Sequence, residues 1–226
     1  MIPVLGVPIL NGPEHLDKML ASIDYPVGRV VVVDNGDVVD GLVDETIIKP
    51  RSNLGVAASW NFIIKSFSAP WWLITNHDVI FSPGDLARLA ERMDGGTDVA
   101  MLGGFSAFAV SKTAISKVGW FDENFSPAYY EDNDFDYRCR LAGIPIRALP
   151  ASLVHMTSST LRESPEYRNQ NGLTFGANRQ RYLDKWGGEP YREKFTTPFD
   201  AGGDFRDWRL DIDRLEAQRW VRDIDQ

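Results

Sequence analysis

The sequence predicts an α/β fold in which helices flank a mostly parallel sheet, followed by a helical C-terminal extension. Two observations support this prediction. Short β-branched runs alternate with amphipathic stretches over the first two-thirds of the chain, as in successive βαβ units. After about residue 157 the strand patterns give way to long polar and basic helical patterns. We therefore expect a core over residues 1–157 and an extension over 158–226 that packs on the core or on a partner subunit.

The order of apolar runs and turn signals predicts where the elements lie. Strands are expected at 2–7, 30–33, 46–49, 71–75, 99–102, 105–110, 146–149 and 153–155. Helices are expected at 15–23, 55–67, 83–93, 130–142, 167–186 and 204–224. The run at 30–33 is apolar on both faces, which is typical of a central parallel strand. Loops at the carboxyl ends of such strands are where α/β sheets bind their ligands.

The charge balance and the cysteine count exclude several classes of protein. The 226 residues include 24 Lys and Arg against 32 Asp and Glu, a formal charge of −8, which argues against a surface that collects nucleic acid or anionic lipid. The single cysteine, Cys139, excludes an intrachain disulfide, so we expect a reducing, cytoplasmic compartment. The sequence shows no signal-peptide pattern and no apolar run near the ~20 residues of a membrane span, so we expect neither secretion nor membrane insertion.

Two polar clusters follow predicted strands in the first third of the chain. Asp34 ends the second strand, where its carboxylate can accept a hydrogen bond from a base or a ribose, although Asp-Asn-Gly is equally a tight-turn sequence. The segment 51–61 starts with Arg51 and continues into small residues that let a helix lie close to a sheet or a ligand. Asn61 lies on the same helical face as Ala57. Tight helix packing around a satisfied asparagine is the alternative interpretation.

A third cluster points to a metal ion. Asn76 and Asp78 follow a buried aromatic strand, at a position where a carboxylate can face the ligand crevice and hold a hard divalent cation. His155 ends the last predicted strand of the core and could add an imidazole, which manganese accepts as a ligand. A lone carboxylate in a loop and a single histidine are both more often structural than functional, so it is their positions that make them candidates.

The fourth cluster is an acidic run, 129–138, that opens a predicted helix. Four carboxylates lie within six residues, more than the one or two that capping of a first helical turn requires. Asp132 and Asp136 share one helical face, and Glu131 and Asp134 share another. One face can therefore bind or react while the other is anchored to backbone or arginine.

In this order the motifs resemble the inverting nucleotide-sugar glycosyltransferases of the GT-A fold, in the group around family 2. The resemblance extends from residue 2 to about 186. Its elements are the runs 7–11, 32–36, 53–61, 73–78, 119–125 and 130–138, then Gly143, His155 with Ser158 and Ser159, and Asn178 and Arg179 before Tyr182 and Trp186. Each motif is weak alone, the ordered set is strong, and the acidic run is its most specific part.

The resemblance implies a role for each candidate residue. The donor-binding candidates are Pro8, Asn11, Asp34, Arg51, Asn61 and Asn76. Among them, Asp34 would hold the base or ribose, Pro8 and the Asn11 loop would wall the base, and Arg51 would lie near the base or the diphosphate. Asp78 and His155 would hold Mn2+ or Mg2+. Asp132 would be the catalytic base that takes the proton of the acceptor hydroxyl, and Glu131 would bind or orient the acceptor.

The chain departs from the family pattern at one position of the metal motif. Asn76 stands where the first Asp of the Asp-any-Asp motif often lies, so the site would carry one negative charge fewer. Metal binding without nucleotide is therefore expected to be weak. Variants of this kind occur in the family.

The expected partners follow from the resemblance. They are a UDP-, GDP- or dTDP-sugar donor and the hydroxyl of a glycan, a lipid-linked sugar, a protein or, least favoured, a nucleic acid, with a homo-oligomer possible through the C-terminal helices. Two alternatives stay open. A sugar-phosphate nucleotidyltransferase would share the βαβ start, but it would need a Gly-rich basic loop where this chain has residues 8–13. A non-catalytic glycan- or nucleotide-binding module would use the aromatic residues as stacking platforms and would not need the acidic run.

Overall fold

The computed structural model describes residues 1–40, 45–155 and 165–209. The strands are β1 (Leu5–Ile9), β2 (Val30–Asp34), β3 (Thr46–Ile48), β4 (Trp71–Thr75), β5 (Val79–Ile80), β6 (Val99–Met101), β7 (Ala107–Ser111), β8 (Ile146–Ala148) and β9 (Val154–His155). The helices are α1 (Pro13–Ala21), α2 (Val56–Ser66), α3 (Asp85–Asp94), α4 (Lys112–Val118), α5 (Glu131–Leu141) and α6 (Pro165–Trp186). Two short 3-10 helices span Pro198–Asp200 and Phe205–Arg209.

Seven of these strands form one sheet in the order β3-β2-β1-β4-β7-β6-β8. Strand β7 runs antiparallel to both of its neighbours, and the other pairings in the sheet are parallel. Strands β5 and β9 pair separately as a two-stranded antiparallel ribbon. The predicted fold class, a mostly parallel sheet flanked by helices, is confirmed.

Apolar side chains cover both faces of the sheet. On one face, α1 and α3 contribute Leu16, Leu86 and Leu89, all buried in one core cluster. On the other face, α2 and α5 contribute Trp60 and Phe135 to a second cluster. The valines at 31–33 of β2 have no exposed surface, as the continuous apolar run predicts for a strand covered on both sides.

The first strand continues further than its sequence predicts. Ile2 forms only an isolated bridge, and β1 begins at Leu5 and runs through Pro8 to Ile9. Pro8 is tolerated because β4 pairs with β1 only at Leu5 and Gly6, so the missing N–H lies beyond the reach of β4. Strand β5 and helix α4 were not predicted, since two residues carry no periodicity and α4 follows β7 without an intervening turn.

The second half of α6 packs on the core. Tyr182 and Trp186 have no exposed surface and form a third cluster with Phe125, Tyr130 and Tyr137, which lie in α5 or just before it. Within the expected helix over 204–224, Phe205–Arg209 forms a 3-10 helix, and residues 210–224 lie outside the described part of the chain. The division at residue 157 stays a prediction. Within the described ranges, no helix is long and apolar enough to cross a membrane.

Candidate active site

Asp34 lies at the carboxyl end of β2, where its side chain forms hydrogen bonds with the loop that follows this strand. The carboxylate is buried and accepts hydrogen bonds from the backbone N–H groups of Gly36 (3.3 Å), Val38 (3.0 Å) and Val39 (2.8 Å). The ammonium of Lys49 lies 3.8 Å from one carboxylate oxygen. This arrangement corresponds to the tight-turn interpretation of Asp-Asn-Gly, because the carboxylate stabilises the loop after β2.

Asn35 joins this loop to helix α2, a function that the sequence analysis did not assign. Its side-chain amide donates to the Ser59 hydroxyl (3.0 Å), and its side-chain carbonyl accepts from the backbone N–H of Leu54 (2.9 Å). The next residue, Gly36, touches the loop that follows β1, since a Cβ atom there would lie 1.8 Å from the Leu10 carbonyl oxygen. The Asp-Asn-Gly motif marks this turn in the sequence, but the contacts of Asn35 are with residues 19 and 24 positions away, which the motif does not reveal.

Three predicted donor residues lie around this meeting of loops. Pro8 is half-buried in β1, directly opposite Val33 of β2. Asn11 is half-buried in the loop between β1 and α1, and Arg51 is exposed in the loop between β3 and α2. Their positions at one end of the parallel strands fit the crevice where α/β sheets bind ligands.

The structure gives Asn61 a structural position, which corrects its assignment to donor binding. The side chain has no exposed surface. Its amide donates to the Phe121 carbonyl (2.8 Å) and to the Glu123 carboxylate (3.0 Å), and its carbonyl oxygen accepts from the Phe121 N–H (3.0 Å). Asn61 therefore joins α2 to the 121–123 segment and offers no surface to a ligand. This matches the alternative interpretation, in which the helix packs tightly around an asparagine whose hydrogen bonds are all formed within the protein.

The ribbon of β5 and β9 brings the metal candidates together. Val79 pairs with His155, so the imidazole lies next to the residue that precedes β5. His155 Nε2 lies 3.2 Å from Asp78 Oδ1 and 3.4 Å from Asn76 Nδ2. Asp78 is buried and His155 is half-buried. Three residues separated by up to 79 positions in the sequence thus converge on one point.

The side chains of Asp78 and His155 are suitable ligands for a divalent cation whose remaining coordination positions are filled by a substrate. A carboxylate with an imidazole suits Mn2+, and hard cations of this type are often bound through one or two carboxylates while substrate phosphates complete the shell. Among the described residues, no group of three or more His, Cys, Asp or Glu could hold a metal ion. A cation at this position would need further ligands, and the weak metal binding expected from Asn76 in place of an aspartate stays a prediction.

The acidic run divides between carboxylates that pair with an arginine and carboxylates that do not. Asp134 is fully buried and pairs with Arg138 (2.7 Å), while Asp136 pairs with Arg140 (3.0 Å). Both pairs have the i to i+4 spacing of neighbours on a helix face. The anchored residues thus come from both predicted faces, and two carboxylates remain, those of Glu131 and Asp132.

Burial raises the pKa of both remaining carboxyls. Desolvation is the main cause for Glu131, whose pKa lies well above its usual value, and the negative charge of Asp132 raises it further. Burial likewise raises the pKa of Asp132, with a smaller contribution from Asp136, although the backbone N–H of Asn133 donates to the carboxylate at 2.8 Å. A carboxylate with a raised pKa is a stronger base, which suits proton abstraction near neutral pH.

The residues just before this pair are conformationally strained. Tyr129 and Tyr130 have φ angles of 78° and 74°, in the left-handed region that L-residues seldom occupy. Each such residue costs about 1–3 kcal/mol and persists only where its surroundings impose it. The strain therefore marks the segment before Glu131 as one whose position the rest of the protein enforces.

Comparison with known families identifies the chain. The family model of glycosyl transferase family 2 matches residues 5–137, more than half of the chain. The protein belongs to this family. A galactofuranosyl glycosyltransferase of Leishmania donovani is 38% identical over 66 residues, which make up 29% of this chain and 15% of that relative. The chain thus spans only a small part of that protein.

Solved structures with the GT-A fold superpose on most of the chain. The mannosyltransferase PcManGT of Pyrobaculum calidifontis, in complex with GDP-Man and Mn2+, gives a TM-score of 0.62 at 14% identity, over 84% of this chain and 66% of its own. S. aureus TarS 1-349 gives a TM-score of 0.57 at 16% identity, over 79% of this chain and 72% of its own. At these identities the likeness establishes the fold.

Proposed function

We propose that the protein is a metal-dependent inverting glycosyltransferase that moves a sugar from a nucleoside-diphosphate sugar to an acceptor hydroxyl. The observation that carries this proposal is the presence, in one family 2 chain, of two features: the contact between Asp78 and His155, which suits a divalent cation, and the half-buried carboxylate of Asp132 at the start of α5, whose pKa is raised. Neither a nucleotidyltransferase nor a binding module needs both features together.

The relatives support the donor class. PcManGT was solved with GDP-Man and Mn2+, and TarS 1-349 was solved with UDP and with UDP-GlcNAc. We extend the shared element, a sugar linked to a nucleoside diphosphate, to this chain. The loops that meet at Asn35 and Gly36 would enclose the nucleoside, and Arg51, which is exposed beside them, would face the anionic part of the donor.

In the proposed reaction Asp132 is the general base. Its carboxylate accepts the proton of the acceptor hydroxyl while the hydroxyl oxygen bonds to the anomeric carbon and the bond from that carbon to the diphosphate oxygen breaks. Attack from the face opposite the leaving group inverts the configuration. Positioned general bases contribute about 100- to 10,000-fold to rate. Glu131, which is buried beside Asp132, would orient the acceptor.

Asp78 and His155 would hold the cation, with Asn76 beside them. A divalent cation held by these residues would supply positive charge that stabilises the negative charge of the departing diphosphate. Mn2+ and Mg2+ are both compatible with a carboxylate, and the imidazole of His155 favours Mn2+.

The test separates binding from chemistry. We expect Asp132→Asn to bind a nucleotide sugar with Mn2+ as the wild type does and to lose at least 100-fold in sugar transfer or donor hydrolysis, because only the base is removed. Asp136→Asn, on the same helical face, is the matched control and should retain turnover at its optimal pH. Full turnover by Asp132→Asn would overturn the assignment of the base.

A further inference from the structure

One face of α6 contacts the segment 122–134, which contains the proposed base Asp132. Asn178 and Lys185 are seven residues apart, two helical turns, so they project from the same side of the helix. Tyr182 and Trp186, which lie on the same side, are fully buried against α5 and the residues before it. The two polar residues are also buried, with 4% and 6% of their surface exposed.

Lys185 joins both ends of the segment 122–134. Its ammonium lies 2.8 Å from the Asp122 carboxylate and 2.6 Å from the Asp134 carboxylate, and both carboxylates are buried. Burial raises the pKa of Asp122, but the charge and hydrogen bond of Lys185, the charge of Arg181 at 3.7 Å and the backbone N–H of Asn124 together outweigh this effect and bring the pKa well below its usual value. Trp186 adds a hydrogen bond from its indole N–H to Asp134 (2.8 Å). In the sequence, Asp132 thus lies between two residues, Asp122 and Asp134, that both pair with the ammonium of Lys185.

Asn178 holds the middle of the same segment. Its side-chain amide donates to the backbone carbonyls of Ala128 (2.8 Å) and Tyr129 (3.2 Å). These bonds fall at the start of the strained pair Tyr129 and Tyr130. On the other side, the backbone N–H of Val56 donates to the Pro127 carbonyl (2.7 Å). The strained segment is therefore held between α6 and the first residue of α2.

We propose that Asn178 and Lys185 are positioning residues that hold the segment 126–134, and with it Asp132, at the geometry that transfer requires. Neither residue contacts a reacting atom in this account; each acts through the backbone or through the anchored Asp122 and Asp134. The inference rests on the proposed function, because it takes Asp132 as the base. It assigns α6 a part in catalysis, although this helix lies beyond residue 137, where the family match ends.

Four variants test this proposal. Lys185→Met removes the charge and retains the length of the side chain, and Lys185→Arg keeps the charge. Asn178→Ala removes the amide without leaving a buried charge unpaired, so it stays informative if Lys185→Met folds poorly. Lys194→Met, at an exposed position after the same helix, is the matched control for loss of one positive charge.

The first measurement is amide hydrogen exchange of the purified full chain, followed by peptide mass spectrometry. We expect Lys185→Met and Asn178→Ala to speed exchange about tenfold or more in peptides covering 126–136 and to leave peptides of β1 and β2 unchanged, since local openings need not involve the whole fold. Lys185→Arg should lie near the wild type, and Lys194→Met should match it. Unchanged exchange over 126–136 would overturn the proposal, and so would equal acceleration across the sheet.

The second measurement separates kcat from donor binding. We expect a loss of about 10- to 100-fold in kcat, the scale of a small misplacement of a reacting group, with donor KM and donor affinity within about twofold of the wild type. A parallel fall in kcat and in the fraction of protein that binds donor would mean a merely structural role and would overturn the proposal. If the wild type itself shows no turnover with any nucleotide sugar, the proposed function fails, while the exchange data still decide whether α6 holds this segment.

Discussion

Neighbouring carboxylates in the acidic run experience opposite surroundings. Asp134 lies against Arg138, Lys185 and the indole N–H of Trp186, so its buried charge is compensated. The carboxyl of Glu131 is also buried; backbone hydrogen bonds at Glu131 and Tyr129 compensate its charge in part, but within the described part of the chain its Oε2 atom has no hydrogen-bond partner. Burial of a charge that is only partly compensated is costly. The run therefore includes groups that stabilise the fold and one that works against it.

Replacing Glu131 should reveal that cost. The pKa of Glu131 in the folded protein lies above its usual value of 4.5, so this group favours the folded state most below pH 4.5 and loses that contribution as pH rises through the folded-state pKa. Glu131→Gln should thus raise the free energy of unfolding at pH 7 by ~1–2 kcal/mol, a gain of roughly 2–8 °C in Tm for a chain of this size.

Thermal unfolding measured at pH 7 and near pH 4 checks this expectation. The stabilisation by Glu131→Gln should disappear at the lower pH, where the wild-type carboxyl is also neutral. Glu91→Gln, at an exposed position on α3, is the control and should change little. A lower Tm for Glu131→Gln at pH 7 would contradict the expectation and mean that the ionised carboxylate has a partner that stabilises it.

Asp136 should tune the acidity of the proposed base. Its negative charge raises the pKa of Asp132, and it pairs with Arg140, which also pairs with Glu193. In Asp136→Asn the negative charge is removed and Arg140 retains a partner, so the pKa of Asp132 falls. The acid limb of the kcat profile should move to lower pH, measured with donor at saturation. Asp17→Asn, exposed on α1, should leave the limb in place, and a shift to higher pH would exclude Asp132 as the titrating base.

At the scale of elements, the contact between the loops after β1 and β2 depends on one glycine. A Cβ atom at Gly36 would lie 1.8 Å from the Leu10 carbonyl oxygen, far inside van der Waals contact, and the obstacle is backbone. Gly36→Ala must displace one of the two loops that would enclose the nucleoside. We expect a loss of at least tenfold in donor affinity and about 2–4 kcal/mol in stability, the range of severe steric changes.

Titration calorimetry and denaturant unfolding measure the two effects of Gly36→Ala. Gly172→Ala is the matched control, because a Cβ atom at Gly172 in α6 meets nothing within 4 Å. An alanine inside a helix should stabilise by about 0.5–1 kcal/mol. Wild-type donor affinity in Gly36→Ala would show that these loops do not form the nucleoside site.

The sequence predicts elements well where one periodicity covers the whole element. The limits of β4 were predicted exactly as observed, at 71–75, because an aromatic apolar run ends in a polar turn. Strand β5 was missed because its two residues acquire their conformation from pairing with β9. The direction of β7 was not predicted either, since antiparallel pairing with β4 leaves no local trace in a strand buried on both faces.

The sequence indicates where candidate residues lie when the signal is local, and it does not reveal contacts with distant partners. Asp78 and His155 each follow or end a strand, and the structure places them 3.2 Å apart. Asn61 was assigned to the donor because a helix face does not reveal that Phe121 and Glu123, 60 and 62 residues away, occupy its amide. The roles of Asn35, Asn178 and Lys185 likewise depend on contacts 19 to 63 residues apart in the chain.

At the scale of the whole molecule, part of the excess of acidic residues is concentrated in the candidate active site. Part of the net charge of −8 lies at Asp78 and in the acidic run, where a diphosphate donor and the proposed base would meet. An acidic site that receives an anionic substrate needs a cation to reduce the repulsion. Cys139 belongs to neither function; it is buried, and burial raises the pKa of its thiol to about 12, so it is chemically inert.

In the proposed function, Asp78 and His155 hold a cation through which a nucleotide sugar binds. Titration calorimetry with UDP-, GDP- and dTDP-sugars, in Mn2+ and in EDTA, tests it most directly. We expect one nucleotide class to bind in Mn2+, to lose at least tenfold in affinity in EDTA, and to lose the same amount in Asp78→Asn, while Asp132→Asn binds as the wild type does. Binding that is equally tight in EDTA, or no binding of any of the three donors in Mn2+, would contradict the account.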